Sequence, residues 1–240
     1  MSRQSVAGTG RTIDPGAAAL ASMRVGAYLR AGRCIPPLLA ALVLLGILYG
    51  GGKAVAAEAY GVSALLMFPV LAWQAKLLLD AEPDVQRRLA LVAMRSRRHE
   101  AAAGLLAAGA VAVPVVVLAI GVPWLVGGVE HTDAVTGLLL GLWAHAIVVP
   151  SAIALGALSS RVIAGTPGRA TAILIGGAVL ALILGMRGSP VPWLAPPLLG
   201  TARALSGGIE AGALGGLTCW ALIWSAAVLT GYGWLRRTRS

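Results

Sequence analysis

Six stretches of this 240-residue chain are apolar over lengths matched to a lipid bilayer, and that pattern decides the fold class. They run 34–52, 60–79, 102–126, 134–158, 170–186 and 211–235. About 20 consecutive apolar residues in a helix cross a hydrocarbon core roughly 30 Å thick. A helix also satisfies its own backbone hydrogen bonds, which lipid cannot do. The apolar residues arrive in blocks rather than in half-buried alternation. At 58% hydrophobic residues and a mean hydropathy of +0.84, they are too many for one water-soluble core. The chain is expected to be an all-α membrane protein with six transmembrane helices. Residues 34–240 would form one six-helix membrane domain. Residues 1–33 would form a cytoplasmic basic tail and an interfacial helix.

Orientation follows from the basic residues in short flanks and loops. With the N-terminus inside, Arg3, Arg11, Arg24, Arg30, Arg33, Lys76, Arg87, Arg88, Arg95, Arg97, Arg98, Arg161, Arg169, Arg236, Arg237 and Arg239 fall on the cytoplasmic side. Only Lys53, Arg187 and Arg203 remain outside. Both termini are therefore expected in the cytoplasm. Arginine outnumbers lysine, and alanine and glycine are abundant, which fits a GC-rich bacterial genome and hence a bacterial plasma membrane. Residues 16–33 carry intermittent arginines with apolar Leu20, Met23 and Leu29. They read either as an amphipathic helix along the inner headgroups, turning into the first span at Pro36-Pro37, or as a topology tail.

The net charge of +10 belongs to this membrane asymmetry, so nucleic acid is not an expected partner. Cys34 and Cys219 have no CxxC or Cys/His neighbourhood, which argues against a metal or redox site. No Gly-x-Ser-x-Gly, HExxH or GxxxxGK[ST] occurs. His145 is the one histidine within a span and has no Asp, Glu or Ser at helical spacing on that span. It reads as hydrogen-bonded packing. The spans as drawn contain no Asp or Glu, which disfavours coupling to protons or sodium. Neither enzymatic activity nor a cofactor is expected of this chain.

The loop after the second span, "DAEPDVQRRLALVAMRSRRHE" (80–100), is more specific. Pro83 suits the first turn of a helix, with Asp80 and Glu82 where carboxylates favour its N-terminus. Val85, Leu89 and Val92 recur at i, i+4 and i+7 as one apolar stripe. Arg87, Arg88, Arg95 and Arg98 occupy a neighbouring sector, and Asp84–Arg88 is an i, i+4 pair. Fixing topology would need only some of these arginines and none of the stripe. A docking helix is the richer reading, a topology signal the simpler one.

The segment "RGSPVPWLAPPLLGTARALSGG" (187–208) is apolar yet carries Pro190, Pro192, Pro196 and Pro197. Irregular backbone of this kind cannot face lipid. It is expected either to dip into the outer leaflet as a sheltered re-entrant hairpin, with Trp193 at the interface, or to form a proline-rich outer loop.

Taken together, "MRVGAYLRAGR", six spans with both ends inside, the acidic-then-basic loop and "SPVPWLAPPLLGTARAL" resemble the permease subunit of type-2 ABC exporters over almost the whole chain. Glu82 and Ser96-Arg97 match loosely the family's acidic residue and "Ser-Arg" element before span three. The resemblance implies a cytoplasmic coupling helix fitted into a groove on a separate ATPase subunit. On this chain it would comprise Glu82, Asp84, Val85, Arg87, Arg88, Leu89, Val92, Arg95, Arg97 and Arg98. It also implies an outer re-entrant hairpin at Pro190, Pro192, Trp193, Pro196 and Pro197. ATP and Mg would reside in the partner ATPase, and a second permease, identical or paralogous, would complete the pathway. Apolar spans without Asp or Glu, and with Lys76 only near the end of the second, suit a hydrophobic or amphipathic cargo such as a drug, a lipid-like molecule or a peptide. The rival readings are a secondary carrier, an integral membrane enzyme acting on lipid, and a membrane anchor for a cytoplasmic complex.

Overall fold

The computed structural model describes residues 15–82, 85, 86, 89, 92, 96–130, 133–208 and 210–238, and among these it is helical without a strand. The elements are α1 (Pro15–Arg30), α2 (Ile35–Tyr49), α3 (Ala56–Leu79), α4 (Arg97–Leu125), α5 (Ala134–Leu158), the single turn α6 (Arg161–Ala164) and α7 (Pro167–Leu184). A 3-10 turn at Pro192–Leu194, α8 (Leu198–Ser206) and α9 (Ala211–Thr238) follow. Among the described residues, α3, α4, α5, α7 and α9 are each long and apolar enough to cross a membrane. These are the second to sixth expected spans, within a few residues.

The first expected span is shorter than drawn. α2 has 15 residues, so it rises only about 22 Å. Glycines 50, 51 and 52 lie beyond its end, and Gly52 has φ +123°. Joined to α1 across a 74° bend, it makes a candidate sixth crossing. The bend lies at residues 31–34 rather than at Pro36-Pro37. Gly32 takes the left-handed conformation there (φ +64°), and the Arg33 amide donates to the Tyr28 carbonyl at 3.3 Å. The two prolines instead occupy the first turn of α2, where a missing N–H leaves no intrahelical bond unmade.

α1 buries a face led by small side chains, with Leu20 packed beside it. Ala17, Ala21, Arg24 and Tyr28, spaced at i, i+4, i+7 and i+11, are buried against α3 and α4, while Met23 and Leu29 are exposed. Small side chains let α1 lie close to the bundle, and that closeness brings Arg24 inside.

α3 and α5 form the centre, each with 56% of its span buried, against 11% for α7 and α9. Their contact depends on Gly137 and Gly141, a small-xxx-small pair facing Ala56 and Tyr60. A Cβ on Gly141 would lie 2.6 Å from the Tyr60 ring. Tyr60, Met67, Phe68 and Leu71 of α3 are fully or almost fully buried there. At one end of the bundle the connections after α2 and α4 touch. The Ala54 amide donates to the Gly128 carbonyl (3.1 Å), and the Glu130 amide donates to the Ala54 carbonyl (3.0 Å). The opposite end gathers α1, the 80–82 stem, the start of α4, α6 and the last turn of α9.

Candidate functional site

That opposite end holds two ionic hubs, one on each side of Ala81. In the first, Asp80 caps α3. Its carboxylate accepts from Lys76 Nζ at 2.8 Å and from the Arg161 backbone amide at 2.8 Å. The Asp80 carbonyl accepts from the side chains of Arg33 (2.9 Å) and Arg161 (3.1 Å). One residue thus fastens the α1–α2 turn, α3 and α6.

The second hub centres on Glu100, whose side chain is 1% exposed. Ser96 is the N-cap of α4 and its hydroxyl accepts from the His99 amide, so Glu100 falls at the end of the first helical turn. Its two carboxylate oxygens pair separately with Arg24 of α1 and Arg236 of α9. Arg24 also donates to the Glu100 carbonyl (3.0 Å) and to the Glu82 carboxylate (2.5 Å through its terminal nitrogen, 3.0 Å through Nε). Arg236 donates to the Tyr232 hydroxyl at 3.1 Å. Two arginines and two glutamates cancel, so the hub is buried without net charge. The carboxylates of Glu100 and Glu82 offset the cost of burying the Arg24 guanidinium. Gly104, one turn beyond Glu100, makes the room: a Cβ there would come within 2.9 Å of the Arg24 guanidinium.

Asp80 and Glu82 were expected at the N-terminus of a docking helix; their carboxylates instead fasten its stem to the bundle. Lys76, in the last turn of α3, pairs with Asp80. Beyond the stem, Val85, Gln86, Leu89 and Val92 are helical. The stripe is exposed: Val85 by 70%, Leu89 by 65% and Val92 by 76%, with Leu89 and Gln86 bordering a groove shared with α1. Arg98 is exposed in the first turn of α4. Asp84, Arg87, Arg88 and Arg95 lie outside the described residues, as does the side chain of Arg97.

Nothing in hydropathy marks Glu100, because it stands just before the apolar stretch 102–126. The signal present in the sequence is a carboxylate one turn before a glycine at the foot of a long apolar helix.

His145 is fully buried between α3 and α5. Nδ1 faces the Gly141 carbonyl at 2.8 Å and must carry the proton; Nε2 is then left to accept from the Ser63 hydroxyl at 3.4 Å. Tyr60 meets the ring edge-on. Both nitrogens are engaged in packing, through a serine supplied by another helix. Among the described residues no cluster of His, Cys, Asp and Glu is arranged to hold a metal.

At the far end, the 187–208 segment packs inward in its middle. Ala195, Leu198, Thr201 and Leu205 are buried, and α8 lies against Gly61 of α3. Trp220 and Trp224 of α9 donate their indole N–H groups to the carbonyls of Ala195 (3.1 Å) and Leu194 (2.8 Å). Trp224 is 13 residues into α9, so Leu194 sits about 20 Å along that helix. Pro196 and Pro197 lead into α8, and Pro192 opens the 3-10 turn. Pro190 and Trp193 are exposed.

The chain matches no protein-family model, no curated protein and no solved structure.

Proposed function

We propose that this chain is the membrane subunit of an ATP-driven exporter of the type-2 ABC class, docked through residues 80–98 to a separate ATPase that carries ATP and Mg. The observation that carries this reading is the Val85–Leu89–Val92 stripe. Three large apolar side chains at helical positions are left exposed just beyond a stem fixed by two ionic hubs. A topology signal needs neither the stripe nor the fastening.

The finer features of the reading follow. The chain would cross a bacterial plasma membrane six times with both termini in the cytoplasm, the α1–α2 pair supplying the first crossing. Residues 190–206 would form a re-entrant hairpin near the outer mouth. The reach of Leu194 to Trp224 and the buried middle of α8 support that arrangement over a plain loop. The thinly buried α7 and α9 leave apolar faces for lipid or for a second permease, identical or paralogous. The pathway between the two would suit a hydrophobic or amphipathic cargo.

The test is a Val85→Ser/Leu89→Ser/Val92→Ser variant. It is expected to insert normally, to lose copurification of the ATPase, and to lose ATP turnover stimulated by hydrophobic compounds. Normal insertion, partner binding and turnover together would reduce the loop to a topology signal. An ATPase that copurifies with the wild-type chain but never responds to cargo would favour a membrane anchor instead.

A further inference from the structure

A cleft of about 220 Å³ opens between α4 and α9, beside the Glu100 hub. Arg98, Arg236 and Arg237 line one part of it and Leu105, Leu229 and Gly233 another. Seven residues separate Arg98 from Leu105 on α4, and seven separate Leu229 from Arg236 on α9. The cationic and apolar parts therefore lie about 10 Å apart on both walls. A site graded in this way suits an amphiphile rather than a simple anion.

Charge narrows the occupant further. The positive charge of Arg236 is met by Glu100. Arg98 and Arg237 are exposed, and among the described residues neither has a carboxylate at ion-pair distance. Arg98 also stands in the first turn of α4, where the helix dipole disfavours a cation and favours an anion nearby. Depth agrees with this. α4 and α9 have 29 and 28 residues, so each is about 42 Å long and exceeds a hydrocarbon core of roughly 30 Å. Their paired ends, joined through Glu100 and Arg236, then stand at headgroup level, with Leu105 and Leu229 below them.

We propose that this cleft holds one anionic phospholipid, its phosphate between Arg98 and Arg237 and an acyl chain against Leu105 and Leu229. The proposal needs the chain to lie in a bilayer but does not depend on the exporter reading.

The experiment is native mass spectrometry of the purified full-length chain with phosphatidylglycerol and phosphatidylcholine in competition. Two arginines near a membrane surface predict a preference for the anionic lipid of roughly tenfold to thirtyfold. Arg98→Gln/Arg237→Gln should abolish the preference. Arg30→Gln/Arg169→Gln, which alters exposed arginines away from the cleft, should keep it. Leu229→Trp, which fills the apolar part and leaves the charges untouched, should weaken retention. Equal binding of both lipids, survival of the preference in the first variant, or its equal loss in the second would overturn the proposal. So would displacement of the bound lipid by inorganic phosphate together with normal retention in Leu229→Trp, because the cleft would then be an anion site only.

Discussion

Arg236 follows Glu100 by 136 residues in the chain and donates directly to its buried carboxylate. The last helix is thereby locked to the start of α4 at a position where a lone charge would be costly. Removing one partner of a buried pair typically costs about 3–5 kcal/mol, whereas replacing both with apolar groups costs far less. Glu100→Leu alone is expected to lower the thermal midpoint in detergent sharply. Glu100→Leu/Arg236→Met should recover most of it, because Arg24 and Glu82 still balance each other. A double variant as unstable as the sum of the two single changes would refute the hub.

Gly104 offers a second approach to the same contacts. Gly104→Ala would place a methyl group 2.9 Å from the Arg24 guanidinium and 3.0 Å from a Leu79 methyl. Overpacking of this kind costs about 1–3 kcal/mol. In an Arg24→Ala background the added cost should shrink, since one of the two clashes is gone. The thermal midpoints of the four proteins form a double-mutant cycle, and strict additivity would mean that the two positions do not meet.

Sidedness can be read with single cysteines on a background in which Cys34 and Cys219 are serine. A membrane-impermeant thiol reagent applied to intact cells is expected to label Glu130→Cys and to miss His99→Cys. Labelling of position 99 would invert the proposed orientation.

For the outer segment, cysteines placed from 187 to 208 should react from outside at both ends and be protected from 195 to 201. Trp224→Phe, which deletes the indole donor to Leu194, should increase reactivity in the middle. Uniform reactivity would leave only a surface loop.

The long helices were legible because bilayer thickness imposes a length and a hydropathy that few other structures share. The gathering of basic residues at one end was legible for a related reason: charge is excluded from lipid and has to collect beside it. The buried face of α1 was not legible because its contact with the bundle is made by Ala17 and Ala21, whose value is their small size rather than their hydropathy. Glu100 was missed because its meaning lies in partners 76 residues before it and 136 after it, and separation on that scale leaves no periodic trace. The Gly137–Gly141 pair was not singled out from the sequence, because only the close approach of Tyr60 gives that spacing a role.

The stem of the 80–98 loop is a fork. Asp80 runs to Arg33, Lys76 and Arg161, while Glu82 runs through Arg24 to Glu100 and on to Arg236. One prong grips the α1–α2 turn, α3 and α6; the other grips α1, α4 and α9. A pull on the exposed stripe therefore enters the bundle along two routes only two residues apart, and neither group of helices can swing free of the loop without first parting a hydrogen bond or an ion pair at its own prong.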